Sequence, residues 1–191
     1  MRKIVLASAS PRRKKLLEQI GLQFEVCVSN FDEKEGSNLT PHELAKNLSL
    51  GKAKEVASKY KNAIIISADT FVSFKGAILS KPETKENARQ TLKLLSGRAH
   101  PIITGFTILD TRTGKTVSKS IETKVYMKKL TDEEIEGYIK TGEPLDKAGA
   151  YGIQERGAMF VEKIEGDYSN VVGLPLYELV EELKKFGIKV I

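Results

Sequence analysis

The residues with the clearest capacity for chemistry lie near the start of the chain, in the run KIVLASASPRRKKLLEQIG from Lys3 to Gly21. Its apolar opening, Ile4–Ala7, reads as a buried strand, and Pro11 to about Ile20 reads as a helix capped by Ser10. Four cations, Arg12, Arg13, Lys14 and Lys15, fill the first turn of that helix. Positive charge at this end opposes the helix dipole, at a cost of about 0.3–1 kcal/mol. Leu16, Leu17 and Ile20 define the buried face. At about 100° per residue, Arg13 falls in the middle of that face and Arg12 at its edge, while Lys14 and Lys15 point to solvent. An arginine aligned with a core stripe needs an acceptor. Two stay open: a carboxylate within the protein, or a bound phosphate chain. A phosphate chain at this strand-to-helix junction would meet backbone N–H groups, the small side chains of Ser8 and Ser10, and guanidinium forks.

Other polar residues fall where a core is expected. Lys52 shares a helix side with Leu44, Ala45, Leu48 and Val56, with snorkelling of its head into water as the alternative. Asn62–Phe71 reads as a buried strand that reaches Asp69 at its far end, where ligands gather in α/β sheets. A lone aspartate there is also a common turn former, but a strand resuming at Phe71 argues against a turn. Thr70 lies beside it. Asp32, Glu33 and Glu35 follow the second strand. Lys81 precedes Pro82, which holds it extended, and Arg98 follows a helix stop at Gly97. Asp146–Gln154 is a run of small residues that lets backbone approach a ligand, with a plain surface loop as the alternative. It ends in Gln154, whose amide could read the edge of a base by paired hydrogen bonds. Inward cations on separate segments suit an anionic ligand, whereas acidic residues in a loop, such as Asp32, Glu33 and Glu35, are usually only solvated.

Composition excludes several classes. The chain has 191 residues, 40% hydrophobic and 29% charged, as in ordinary globular proteins. One cysteine and two histidines rule out an internal disulfide and a zinc finger and fit a reducing cytoplasm. The apolar stretch Ile4–Ala7 is too short for a signal peptide, and no run is long enough to cross a bilayer, so no membrane partner is expected. A net charge of +6 points to an anionic partner. With no nucleic-acid motif and scattered lysines, a small anion or no ligand at all is expected rather than nucleic acid. No Walker loop, dinucleotide fingerprint or nucleophile elbow occurs.

The elements that must position these residues alternate along the chain. Strands are expected at Ile4–Ala7, Phe24–Val28, Ala63–Ala68, in hairpins Phe71–Leu79 and Ile102–Met127, and at Ala158–Ile164. Helices open at the capping box Thr40-Pro41-x-Glu43, at Thr84, at Thr131-x-x-Glu134 and at Pro175. The class is α/β, with a mixed sheet. Two lobes around a cleft fit, without a boundary visible in the sequence.

In chain order, SxSPRR at Ser8–Arg13, DE at Asp32–Glu33, GKA at Gly51–Ala53, ADT at Ala68–Thr70, KP at Lys81–Pro82, LSGR at Leu95–Arg98, DKAGAYGIQ at Asp146–Gln154 and NVVGLPL at Asn170–Leu176 resemble the Maf family of nucleoside triphosphate pyrophosphatases. The resemblance implies one Maf-type domain over residues 1–191, with a mixed twisted sheet, flanking helices, an inosine-triphosphate-pyrophosphatase-like fold and two lobes around a central cleft. It implies hydrolysis of dTTP and UTP, with modified pyrimidine nucleotides in the same class, to the monophosphate and pyrophosphate. This would be a nucleotide-pool housekeeping role, aided by a divalent cation. Asp69 would be the proton acceptor, with Glu33, Lys52 and Lys81 beside it in catalysis and Glu33 and Asp69 holding the metal. Ser8, Ser10, Arg12, Arg13, Thr70, Arg98 and Gln154 would bind substrate. Arg12, Thr70 and Gln154 stand at the positions that separate the dTTP/UTP branch from the 7-methyl-GTP branch, and match the former. The family also implies a homodimer and a link to septum formation. Rival functions are a nucleotide-sensing regulator of septum formation or cell division, in which Asp69 and Glu33 would be dispensable, a nucleotidyltransferase, which needs an acceptor other than water, and a nucleic-acid binder, favoured only by net charge.

Overall fold

A computed structural model describes residues 2–32 and 39–190. The strands are β1 (Lys3–Leu6), β2 (Glu25–Val26), β3 (Ala63–Phe74), β4 (Ala77–Leu79), β5 (Ala99–Asp110), β6 (Thr116–Met127) and β7 (Val161–Glu165). The helices are α1 (Pro11–Gln19), α2 (Pro41–Ala57), α3 (Lys85–Leu95), α4 (Asp132–Lys140), α5 (Tyr168–Val172) and α6 (Leu176–Lys185), with 3-10 turns at Glu143–Asp146, Ala148–Ala150 and Arg156–Phe160. Seven strands form one mixed sheet in the order β2-β1-β3-β5-β6-β7, with β4 paired to β3. β1 runs parallel to β2 and to β3, in register from Lys3↔Ala63 to Leu6↔Ile66. The β3–β4 and β6–β7 pairs are antiparallel. No helix among the described residues is long and apolar enough to cross a membrane.

The chain divides into two compact units: Met1–Asp69 with Thr104–Ile121 and Gly173–Ile191, and Thr70–Ile103 with Glu122–Val172. Three of the divisions fall inside β3, β5 and β6, and the fourth lies at the turn between α5 and α6.

In the first unit, Val5, Ala7, Ala53, Val56, Ala63, Ile65 and Leu109 form a buried cluster. These are apolar positions of β1 and the residue after it, of β3 and β5, and of the inward face of α2. The capping box at Thr40 and Glu43 is made in both directions, satisfying donors that a helix start leaves open. Gly105 lets β5 lie directly on α2: a Cβ there would stand 2.1 Å from the Ala45 carbonyl oxygen.

In the second unit, Val72, Phe74, Ala88, Leu92, Leu95, Val125, Tyr138 and Phe160 belong to one core. The α3 cap at Thr84 and the α4 capping box at Thr131 and Glu134 form as their sequences predict. Arg89 on α3 pairs with Glu136 on α4. His100 of β5 is fully buried and meets the Tyr151 hydroxyl at 2.8 Å.

Three expectations are corrected. β2 is shorter than Phe24–Val28 and pairs with β1 only at Glu25 and Val26. β3 does not stop near Asp69: it is one strand of twelve residues, and Asp69 lies within it. The polar Asp-Thr pair interrupts the apolar pattern, but Phe71, Val72 and Phe74 are buried beyond it and β4 pairs with Val72–Phe74. The strand expected over Ala158–Ile164 begins only at Val161. Before it, Arg156–Phe160 turns as a 3-10 helix, held because the Glu143 carboxylate accepts the N–H groups of Arg156 and Gly157.

Candidate active site

Within the first unit, the loop between β1 and α1 is organised around Ser8, Ser10 and Arg13. Ser10 caps α1, its Oγ accepting the Arg13 N–H at 3.4 Å. The buried Ser8 Oγ accepts the Ser10 N–H at 3.2 Å and Arg13 Nη1 at 3.2 Å. Arg13 points inward, as its helical phase predicts, and its Nε donates to the Gly173 carbonyl oxygen at 2.8 Å. The acceptors that the sequence demanded thus include a backbone carbonyl and a serine hydroxyl. Arg12 is half-buried, and Lys14 and Lys15 are exposed.

Lys52 of α2 and Asp69 of β3 form a hydrogen-bonded ion pair in this unit. Their side chains are 14% and 15% exposed. Snorkelling is therefore not what Lys52 does: its head is held by a carboxylate and largely withdrawn from water. Two charges withdrawn together need each other, because an isolated buried charge is far more costly than a paired one. Asp69 lies between two ladders, one ending at Leu6↔Ile66 and the other spanning Val72–Phe74.

In the second unit, the expected residues are less enclosed. Thr70 is half-buried. Lys81 is exposed beside the buried Pro82 and lines a cavity of about 310 Å³ with Ser80, Asn87 and Gln90. Arg98 is exposed, donates Nη1 to the Leu94 carbonyl at 2.6 Å and lies 5.7 Å from the centroid of the Phe74 ring. Gln154 is exposed in the turn before Arg156–Phe160. Glu33 lies outside the described residues.

A family model described as Maf-like protein matches residues 3–186. The chain belongs to the Maf family. Similar curated proteins include the dTTP/UTP pyrophosphatase of Methanosarcina barkeri, 50% identical over all of this chain and 97% of its own length. That of Alkaliphilus metalliredigens is 52% identical over 97% of this chain and 96% of its own. That of Bacillus anthracis is 48% identical over all of this chain and 98% of its own. The solved Ham1 protein of Staphylococcus aureus aligns over 66% of this chain and 72% of its own at 14% identity, with a TM-score of 0.46, a likeness too distant to carry a fold assignment.

Among the described residues of this Maf chain, no three His, Cys, Asp or Glu side chains gather as a metal cluster. Mg²⁺ commonly takes one or two carboxylates and completes its shell with waters and substrate phosphates. Asp69, a carboxylate on a rigid strand, is a suitable donor for an ion held that way.

Tyr138, Glu143 and Lys147, which hold the segment carrying Gln154, are not among the site residues expected from the sequence. Tyr138 had a signal: with Ile135 and Ile139 it makes an i, i+3, i+4 stripe on α4, all three buried. Lys147 had one as well, a lone cation among small residues. Glu143 had none, because its role depends on backbone groups Arg156 and Gly157 more than ten positions on.

Proposed function

We propose that this chain hydrolyses dTTP and UTP to the monophosphate and pyrophosphate. The single observation that carries the reading is the Lys52–Asp69 pair: a carboxylate and an ammonium, both largely withdrawn from water, on facing elements of one unit. Full-length identity near one half to proteins named for this activity supports it.

In the reaction, Asp69 accepts a proton from water as the water oxygen attacks the α-phosphorus. The bond from that phosphorus to the bridging oxygen breaks, and pyrophosphate leaves. Arg13, Lys52 and Lys81 neutralise the phosphate chain, with Ser8, Ser10 and Arg98 assigned to substrate binding. Catalysis then comes from positioning and charge stabilisation more than from covalent chemistry. Lys52 orients Asp69 for this step through its hydrogen bond to the carboxylate. Asp69 and Glu33 are the proposed carboxylates for a divalent cation, which when bound supplies further neutralisation of the phosphates. Arg12, Thr70 and Gln154 select the base.

The test is a panel of canonical and modified nucleoside triphosphates with Mg²⁺ or Mn²⁺, assayed for pyrophosphate against orthophosphate. Pyrophosphate from dTTP and UTP ahead of the purine substrates is expected. Orthophosphate release, or no turnover of either pyrimidine nucleotide, refutes the reading.

A further inference from the structure

Three side chains of the second unit, none assigned to catalysis, hold the loop 152–157. Tyr138, on the inward face of α4, donates its hydroxyl hydrogen to Glu143 Oε1 at 2.7 Å and accepts the Gly152 N–H at 3.3 Å. Glu143 Oε1 also accepts the Gly157 N–H at 3.0 Å, and Oε2 accepts the Arg156 N–H at 3.2 Å. Lys147, with a side chain 9% exposed, lies 2.6 Å from Asp146 and 3.5 Å from Glu155. The loop is thus pinned at Gly152, at Glu155 and at Arg156–Gly157. Its two ends close on each other: a Cβ on Gly157 would stand 2.7 Å from the Tyr138 hydroxyl and 2.8 Å from the Gly152 carbonyl oxygen. Burial, reinforced by Glu143, pushes the Tyr138 phenol well above its ordinary pKa, so it stays a donor. Between the pins, Gln154 is exposed.

Such a clamp answers a specific chemical difficulty. A glutamine amide offers one acceptor and one donor edge. Uracil and thymine present an acceptor at O4 beside the N3–H donor, whereas cytosine presents an N4 donor beside the N3 acceptor. Turned over, the same amide pairs equally well with cytosine. An amide on a loose loop would therefore distinguish these bases poorly. It discriminates only if the backbone that carries it is held and only one orientation finds its partners.

We propose that Tyr138 and Glu143 are positioning residues for base selection: by clamping the ends of loop 152–157 they orient Gln154 and so set the preference for uracil and thymine over cytosine. The inference rests on the reading of Gln154 as a base contact.

The test compares kcat/KM for UTP, dTTP and CTP in the wild type, Tyr138→Phe, Glu143→Gln, Gln154→Ala and the double variant Tyr138→Phe/Gln154→Ala, with thermal melts alongside. Tyr138→Phe and Glu143→Gln are expected to lower the UTP-over-CTP preference about tenfold, the scale of one net hydrogen bond. The loss should lie in KM for UTP, with kcat within about twofold, and the double variant should lose no more preference than Gln154→Ala alone. Unchanged preference in both positioning variants, while Gln154→Ala loses it, overturns the inference and leaves the base contact standing. So does a uniform fall in kcat for all three substrates, or an additive loss in the double variant. Unchanged preference in Gln154→Ala removes the base contact and the inference together. If Glu143→Gln fails to fold, Tyr138→Phe, which deletes a single hydroxyl, decides the matter.

Discussion

In the first unit, Arg13, Lys52 and Asp69 are half-buried side chains on helices and a strand, each held by a named partner. In the second, Lys81, Arg98 and Gln154 are exposed and sit on segments outside helix and strand. The contrast teaches where each kind of task belongs. Groups that must meet a developing charge gain most from being fixed before substrate arrives, because no reorganisation is then needed at the moment of reaction. Exposed groups on loops, among them Lys81, which is proposed to meet the phosphate chain as well, leave the core undisturbed when exchanged. Gln154 is the intermediate case, an exposed side chain on a turn that buried Tyr138 and Glu143 hold at both ends.

The sharpest test of the contrast is Asp69→Asn, which removes the proposed proton acceptor and keeps the shape. Turnover should fall by about 10²–10⁴-fold, with nucleotide binding retained in a calorimetric titration. Near-normal turnover would break the assignment of chemistry to the first unit.

Lys52→Ala comes next. It should lower kcat/KM by about a hundredfold, as loss of one charge-stabilising donor does. It should also destabilise the fold by about 1–3 kcal/mol, because Asp69 loses its buried partner. Steady-state kinetics and urea unfolding measure both losses. A kinetic loss without a stability loss would mean that the pair is not held in the free enzyme.

Acid should act on the second unit through His100. Burial pushes its pKa down to about 4, so it stays neutral in the folded protein where the unfolded chain, with a pKa near 6.5, is protonated. Between those values the unfolded state binds more protons, so stability is lost as pH falls from about 6.5 towards 4. For this one group the loss between pH 7 and pH 5 is about 2 kcal/mol. Urea unfolding of the wild type and His100→Gln at the two pH values isolates it, and equal pH dependence in both would refute the account.

Lys81→Ala should raise KM for UTP about tenfold, one charge-assisted contact's worth, while the melting temperature stays within error, since the side chain is exposed. A marked loss of stability would erase the contrast between the units. The smallest effect belongs to Lys14→Ala with Lys15→Ala: both are exposed, the Lys14–Glu18 pair is 3.7 Å apart and open to water, and activity and stability should both be unchanged.

Helical phase in the sequence already separated Arg13 from Lys14 and Lys15. It turned Arg13 inward and Lys14 and Lys15 outward, because a rotation of about 100° per residue needs nothing beyond the chain itself. Capping boxes at Thr40 and Thr131 were legible for the same reason, since donor and acceptor lie three residues apart. The strand hosting Asp69 was misread as ending there, because the local pattern breaks at Asp-Thr and the compensating pairing comes from β4.

The sequence by itself thus determined the local signals: helix starts, the inward faces that carry Arg13 and Lys52, the mixed α/β class, and an ordered set of motifs that marks the family. Only the tertiary structure decided the partners. It joined Lys52 to Asp69 across seventeen residues, gave Arg13 the carbonyl of Gly173 across 160, and drew Glu143 to the backbone of Arg156 and Gly157. Periodicity reports which way a side chain leaves its own element. What it meets there depends on how distant segments pack, and backbone donors and acceptors leave no mark in the residue alphabet.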